Sequence, residues 1–227
     1  MDKIGLVNQV GEEISACIYD KILDFSDGLA LVVKVGKVGF VDKYGTEVIP
    51  CIYDETEGFT QGLAKVAQDE KWGLIDKKGK VVLPLIYEAI IGSRKELMIV
   101  SREGKLGFVD RKGKEVTPCV YTNLLYFEEG LAWVERTFVI DPSLPTWDDS
   151  FENKESKVGF VNKQGVEIIP CIYDATNGFF EGWAVVTKDG KSGIIDEKNK
   201  VMIPFLYDRL YRFENGLAQA KKGDKHG

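Results

Sequence analysis

The chain has 227 residues, 44% hydrophobic and 29% charged, a balance that supports a buried core and excludes wholesale disorder. Its formal charge of -6, with Lys and Arg nowhere gathered into a basic run, argues against nucleic acid and anionic membrane as partners. No apolar stretch approaches the ~20 residues of a membrane-spanning helix, and Met1-Asp2-Lys3-Ile4 opens no signal peptide, so a cytoplasmic location is expected, with export on a removed signal as the alternative.

The first element opens at Lys3-Ile4-Gly5-Leu6-Val7-Asn8. It recurs as Lys37-Val38-Gly39-Phe40-Val41-Asp42 and Lys71-Trp72-Gly73-Leu74-Ile75-Asp76, then from Lys105, Lys157 and Lys191. Lys225-His226-Gly227 begins a partial seventh copy. Successive starts lie 34 residues apart except for one step of 52. Next comes a turn such as Asp42-Lys43-Tyr44-Gly45, whose Asp and Gly suit a type I turn closing at positive φ and predict a hairpin between residues 39–41 and 47–49. Pro50, Pro84, Pro118, Pro170 and Pro204 mark the end of the second strand, because Pro cannot donate to a ladder. Tyr follows at 19, 53, 87, 121, 173 and 207. Nine residues later stand Gly28, Gly62, Gly130, Gly182 and Gly216, each with Phe three residues before it and an alternating third strand such as Leu63-Ala64-Lys65-Val66 after it. No segment has helical periodicity. The pattern predicts an all-β fold of tandem ~34-residue, three-strand β-hairpin repeats over 1–227, forming an open β solenoid or superhelix, with a closed β-propeller-like ring as the alternative.

One such unit cannot cover its own apolar face, so neighbours must stack. The expected shared core comprises Leu6, Phe40, Leu74, Phe108, Phe160 and Ile194, the recurrent Tyr, and the residue before it: Ile18, Ile52, Ile86, Val120, Ile172 and Leu206. Gly39, Gly73, Gly107 and Gly159, with Tyr53, Tyr87, Tyr121 and Tyr173, are the structural repeat positions, each Gly leaving room where a neighbouring backbone or ring approaches. Two departures stand out. Ser93-Arg94-Lys95-Glu96-Leu97-Met98 replaces the Phe-x-x-Gly-Leu-Ala segment of the third copy. An insertion, read as a loop over 137–156, carries Asp141, Asp148, Asp149, Glu152 and Glu155 against Lys154. Within it Trp147, Asp148 and Asp149 form the candidate partner contact, a large aromatic in a polar setting. Trp133 and Trp183 lie in third strands and are expected to be buried.

Catalytic constellations are hard to assemble from these residues. His226 is the single histidine, which leaves no internal His for a nucleophile–base pair or a His-based metal site. Cys17, Cys51, Cys119 and Cys171 share one repeat position that Leu85 and Phe205 occupy elsewhere, the behaviour of a small core residue; Cys17–Cys51 is the pair to watch for a disulfide. Asn8, Asp42, Asp76, Asp110, Asn162 and Asp196 open turns, and a single acid per loop suits capping better than calcium. Neither an enzyme nor a cofactor or metal is expected.

The run Trp72-Gly73-Leu74-Ile75-Asp76-Lys77-Lys78-Gly79-Lys80-Val81-Val82-Leu83-Pro84 resembles the WG repeat of bacterial WG (KWG) repeat-containing proteins, and the resemblance covers nearly the whole chain. The namesake Trp is present at Trp72, with Ile4, Val38, Leu106, Val158 and Ser192 in the other copies. The resemblance implies extended hairpin arrays, no general activity and no catalytic residues. The expected function is therefore a non-catalytic scaffold for a protein or peptide partner, with a glycan or cell-envelope-binding module as the alternative.

Overall fold

The structure, a computed structural model, describes residues 2–94, 97–125, 127–139, 154–214 and 216–223. Among the described residues every regular element is a β-strand, and no sheet closes on itself into a barrel. The chain divides into two compact units, 1–103 with 109–115, and 104–108 with 116–227. A two-stranded hairpin, β1 (Ile4–Val7) and β2 (Glu13–Tyr19), opens the first unit. Two antiparallel four-stranded sheets follow in sequence order. One is β3 (Lys21–Ser26), β4 (Leu29–Lys34), β5 (Lys37–Asp42) and β6 (Glu47–Tyr53); the next is β7 (Glu55–Thr60), β8 (Leu63–Gln68), β9 (Lys71–Asp76) and β10 (Val81–Tyr87). The boundary between units runs through the third sheet, β11 (Ala89–Arg94), β12 (Leu97–Arg102), β13 (Lys105–Asp110) and β14 (Glu115–Tyr121). The second unit continues with β15 (Asn123–Leu124), β16 (Leu131–Val139), β17 (Lys154–Asn162) and β18 (Glu167–Tyr173). Its last full sheet is β19 (Ala175–Phe180), β20 (Trp183–Lys188), β21 (Lys191–Asp196) and β22 (Val201–Tyr207), followed by the hairpin β23 (Arg209–Leu210) and β24 (Ala220–Lys221).

Each full sheet thus has four strands where the sequence reading counts three per unit. The extra strand lies between the recurrent Tyr and the Phe-x-x-Gly turn, as in Glu55-Thr56-Glu57-Gly58-Phe59-Thr60. Its alternation is broken by a bulge between Thr56 and Gly58, with Gly58 at φ 77, and most of its side chains are polar. The third copy keeps this strand and the next as β11 and β12, despite its divergent sequence. The ends of the insertion also belong to a sheet: Thr137, Phe138 and Val139 pair with Ser156, Glu155 and Lys154, so the loop reading gives way there to a lengthened β16–β17 ladder.

Side-chain alternation corrects one expected row of the core. On β6, Ile49 and Tyr53 are buried on one face, which puts Ile52 on the other, 46% exposed. Ile18, Ile86, Val120, Ile172 and Leu206 are exposed for the same reason: adjacent residues of a strand cannot share a face. Gly39, Gly73, Gly107, Gly159, Tyr53, Tyr87, Tyr121 and Tyr173 are all buried. A Cβ on Gly39 would stand 2.5 Å from the Ile49 carbonyl oxygen and 2.8 Å from the Pro50 carbonyl carbon, so the neighbouring outer strand crosses where only hydrogen fits. The turns form as read: Gly45, at φ 79, donates its N–H to the Asp42 carbonyl at 3.0 Å, while Asp42 Oδ1 accepts from the amides of Tyr44 and Thr46, both at 2.9 Å.

The passage from one sheet to the next is pinned by the acid after Tyr. Asp20 accepts from the Lys3 ammonium at 2.6 Å and from the Val35 amide at 2.7 Å, which ties the preceding strand to the following β4–β5 turn. Lys37 pairs with Asp54 in the same way, Lys157 with Asp174 at 2.6 Å, and Lys191 with Asp208. In Asp20, Asp54 and Asp208 the lysine, then the backbone N–H, holds the carboxyl below its ordinary range. At Asp174 burial pushes the other way and is outweighed by Lys157 and the Gly190 amide.

Two outcomes are expected. Gly39→Ala should destabilise the chain by about 1–3 kcal/mol in urea unfolding, because the clash is with backbone rather than a side chain that can swing away. Since these Asp values are lower folded than unfolded, their contribution is fully present above about pH 5 and is lost as pH falls through about 4 and below. Asp54→Asn should flatten that acid limb in a pH series of urea midpoints; an unchanged limb would remove Asp54 from the account.

Candidate functional site

Consecutive sheets meet along seams, and one pair of repeat positions faces across each seam. The third strand contributes the residue after Lys-x-Gly, and the following sheet contributes the Phe of Phe-x-x-Gly, nineteen positions later. Where both are aromatic the rings meet: Phe40 and Phe59 have centroids 4.8 Å apart at 70°, and Phe160 and Phe179 4.8 Å apart at 75°. Phe108 and Phe127 lie 5.0 Å apart at 46°. Edge-to-face and tilted contacts of this kind match the quadrupoles of the two rings and leave little free space.

Two described cavities lie where this ring pair is absent. In the second unit, Ile194 and Phe213 stand at the paired positions and line a cavity of about 520 Å³. Its walls include Phe180, Trp183, Val185 and Met202, and Glu128 and Glu181 also line it. Phe180 and Trp183 are 47% and 40% exposed, which places two large rings at its mouth. The Arg212 guanidinium lies 5.4 Å from the Phe180 ring centroid and 3.8 Å from Glu214. Sequence reasoning expects Trp183 to be buried; the structure exposes it, because the first strand-pair residue of β20 faces the open seam rather than a filled one. In the first unit, Leu74, for which the sequence has no Phe nineteen positions later, lines a smaller cavity of about 290 Å³. Its lining is more polar, with Lys65 paired to Glu57 at 2.7 Å and Arg111 bonded to Gln61 at 2.6 Å.

The preceding seam of the second unit shows what a filled counterpart looks like. There Trp133 occupies the repeat position of Val185 and packs against the cluster that contains Phe160, Tyr173 and Phe179. The indole is half-buried rather than buried, and its Nε1 has no hydrogen-bond partner among the described residues. The candidate contact Trp147, Asp148 and Asp149 lies outside the described residues. The signal that could have found the seam site is an interruption rather than a motif: Phe at three of the six post-Gly positions, and Leu or Ile at the rest.

Polar chemistry in the interior is used for packing. Arg136 lies over the Tyr121 ring at 4.9 Å and pairs with Glu167 at 3.0 Å, and Glu167 accepts from the Cys171 amide at 3.0 Å. None of the four cysteines is in a disulfide; Cys17 is exposed, Cys51 and Cys119 are half-buried and Cys171 is buried. Burial, with the nearby Glu167 carboxylate, pushes the Cys171 thiol up to about 11. Among the described residues no group of three or more His, Cys, Asp or Glu is placed to hold a metal ion. At pH 7.5 a disulfide reagent is expected to label Cys17 at least ~10-fold faster than Cys171, which should react only on unfolding. Mass spectrometry of timed aliquots reads the order, and early labelling of Cys171 would contradict its placement.

Comparison with known proteins follows the repeat. The family described as WG containing repeat matches residues 4–37, 39–72, 72–105, 107–136, 159–191 and 193–225. Among curated proteins none matches. Solved structures with a similar chain path include Hsv2p of Kluyveromyces lactis, at 11% identity and TM-score 0.32 over 80% of this chain and 62% of that one. A eukaryotic initiation factor matches at 10% identity and TM-score 0.37, over 85% of this chain and 67% of the other. The WD40 domain of Neurospora crassa Pan2 matches at 13% identity and TM-score 0.32, over 92% and 66%. The chain spans about three-fifths of the length of Hsv2p.

Proposed function

We propose, for a chain that belongs to the WG-containing repeat family, a non-catalytic scaffold role in which the array binds a protein or peptide segment. The observation that carries this reading is the seam cavity of about 520 Å³, apolar within and ringed by exposed Phe180 and Trp183. Cavities of roughly 300–1,000 Å³ with apolar walls and a few polar groups at the rim are the common form of a binding site. Aromatic and Arg side chains dominate the energetics of protein recognition, and here Trp183, Phe180 and Arg212 converge at one mouth. Its lining is largely hydrocarbon and ring, with Glu128, Glu181 and Arg212 as the charged groups, a composition suited to holding a guest. A second reading, a glycan-binding module, draws on the same exposed rings, which offer flat faces to a sugar.

Selection from a displayed random-peptide library against the intact chain tests the first reading. Enriched peptides are expected to bind, and to lose about tenfold or more in affinity against Phe180→Ala/Trp183→Ala, the scale of a binding hot spot. Peptides that bind the double variant equally well would remove the seam from the proposal. No enrichment, together with Trp183-dependent retention on a glycan array, would favour the second reading.

A further inference from the structure

The closed seams define what the open one lacks. In each closed seam a third-strand Phe puts a ring beside the Phe of the next sheet, with centroids 4.8 or 5.0 Å apart. In the open seam of the second unit the next-sheet ring is retained as Phe213, while its third-strand partner is shortened to Ile194, itself 1% exposed. What differs from the closed seams is that Phe213 has an aliphatic side chain, not a ring edge or face, at the paired position. Resting on the reading that this seam binds a peptide, we propose that the cavity accepts an aromatic side chain of the partner, flanked by Lys or Arg, and that Ile194 makes the seam receptive.

Charge at the rim sets the flanking preference. Glu129 and Asp27, at the repeat position of Glu181, each accept from the following turn: Asp27 from the Gly62 amide at 2.9 Å, Glu129 from the Glu181 and Gly182 amides at 3.0 and 3.2 Å. Glu181 has no such bond to Gly216 among the described residues, although both line the cavity. Glu128 lines it too, and neither carboxylate is in an ion pair among the described residues. Arg212, the cation of the lining, is drawn aside toward Glu214 and the Phe180 face. Two glutamates against one arginine, itself engaged by Glu214 and the Phe180 ring, leave the lining net acidic and complement a positively charged segment with an aromatic anchor. The first-unit cavity supplies an internal contrast: it is smaller, and its Lys65 and Glu57 already satisfy each other.

The test uses the full chain and three nine-residue peptides with Gly-Ser ends. Their centres are Lys-Phe-Lys, Lys-Ala-Lys and Glu-Phe-Glu, and binding is followed by two-dimensional NMR of the labelled chain. The Lys-Phe-Lys peptide is expected to shift the Trp183 indole signal and to bind at least ~10-fold more tightly than either control, a hot-spot-sized difference. Ile194→Phe, which restores the ring of a closed seam, should weaken that binding by ~10-fold or more while the thermal midpoint holds or rises. Ile194→Val should leave it intact. Leu74→Phe, the same change in the first-unit seam, should not affect it. Should Ile194→Phe fail to fold, Ile194→Met gives the same reading with a flexible filler. Equal shifts from the Phe and Ala peptides, or undiminished binding to a folded Ile194→Phe, would overturn the inference. Peptides selected for Trp183-dependent binding but lacking an aromatic residue would sink this inference and leave the broader reading standing.

Discussion

A four-stranded sheet, two strands from one copy and two from the next, has two faces and little thickness, so its stability depends on what lies against it. Here the answer is the next copy of the same sheet, held along a seam of paired rings and a carboxylate crossing. Phe40 against Phe59 and Phe160 against Phe179 bury the centre of two seams. Asp20, Asp54, Asp174 and Asp208 pin the chain as it leaves one outer strand for the next inner one. Hydrophobic contact supplies most of the gain, and the exposed ion pairs chiefly fix geometry, since pairs at the surface contribute little on their own.

Repetition of one seam turns sequence variation into a local experiment. The backbone path is unchanged where the third copy loses its Phe-x-x-Gly segment, as β11 and β12 attest. The change appears instead in packing: two of the described cavities are lined by Leu74 or Ile194, which stand where other copies have Phe. A scaffold of this design can therefore gain or lose a recess by single substitutions at a fixed position, without disturbing the ladders on either side. The cost is borne by that seam alone, because in a stacked array each unit contacts chiefly its neighbours.

The difference between the two recesses is one of chemistry. The first-unit cavity is lined by groups that already satisfy one another. In the second unit the lining is largely apolar, and Phe180 and Trp183 are left half in water. Exposed aromatic surface beside an apolar recess costs solubility and is the usual mark of a place where something binds.

Period and turns were determined by the sequence itself, because each depends on chemistry within one copy. Asp42 caps its own turn, Gly45 provides a positive φ, and Gly39 leaves room for an outer strand only ten residues away. The first strand of each sheet was not legible, since residues 55–60 are mostly polar and the bulge at Gly58 breaks their alternation. Which face Ile52 takes was legible in principle from its neighbour Tyr53, as adjacent strand residues point opposite ways. The seam cavity belongs to tertiary structure alone. Ile194 and Phe213 lie on different sheets, and nothing in either residue says that they meet. Only stacking sets them at paired positions along one cavity.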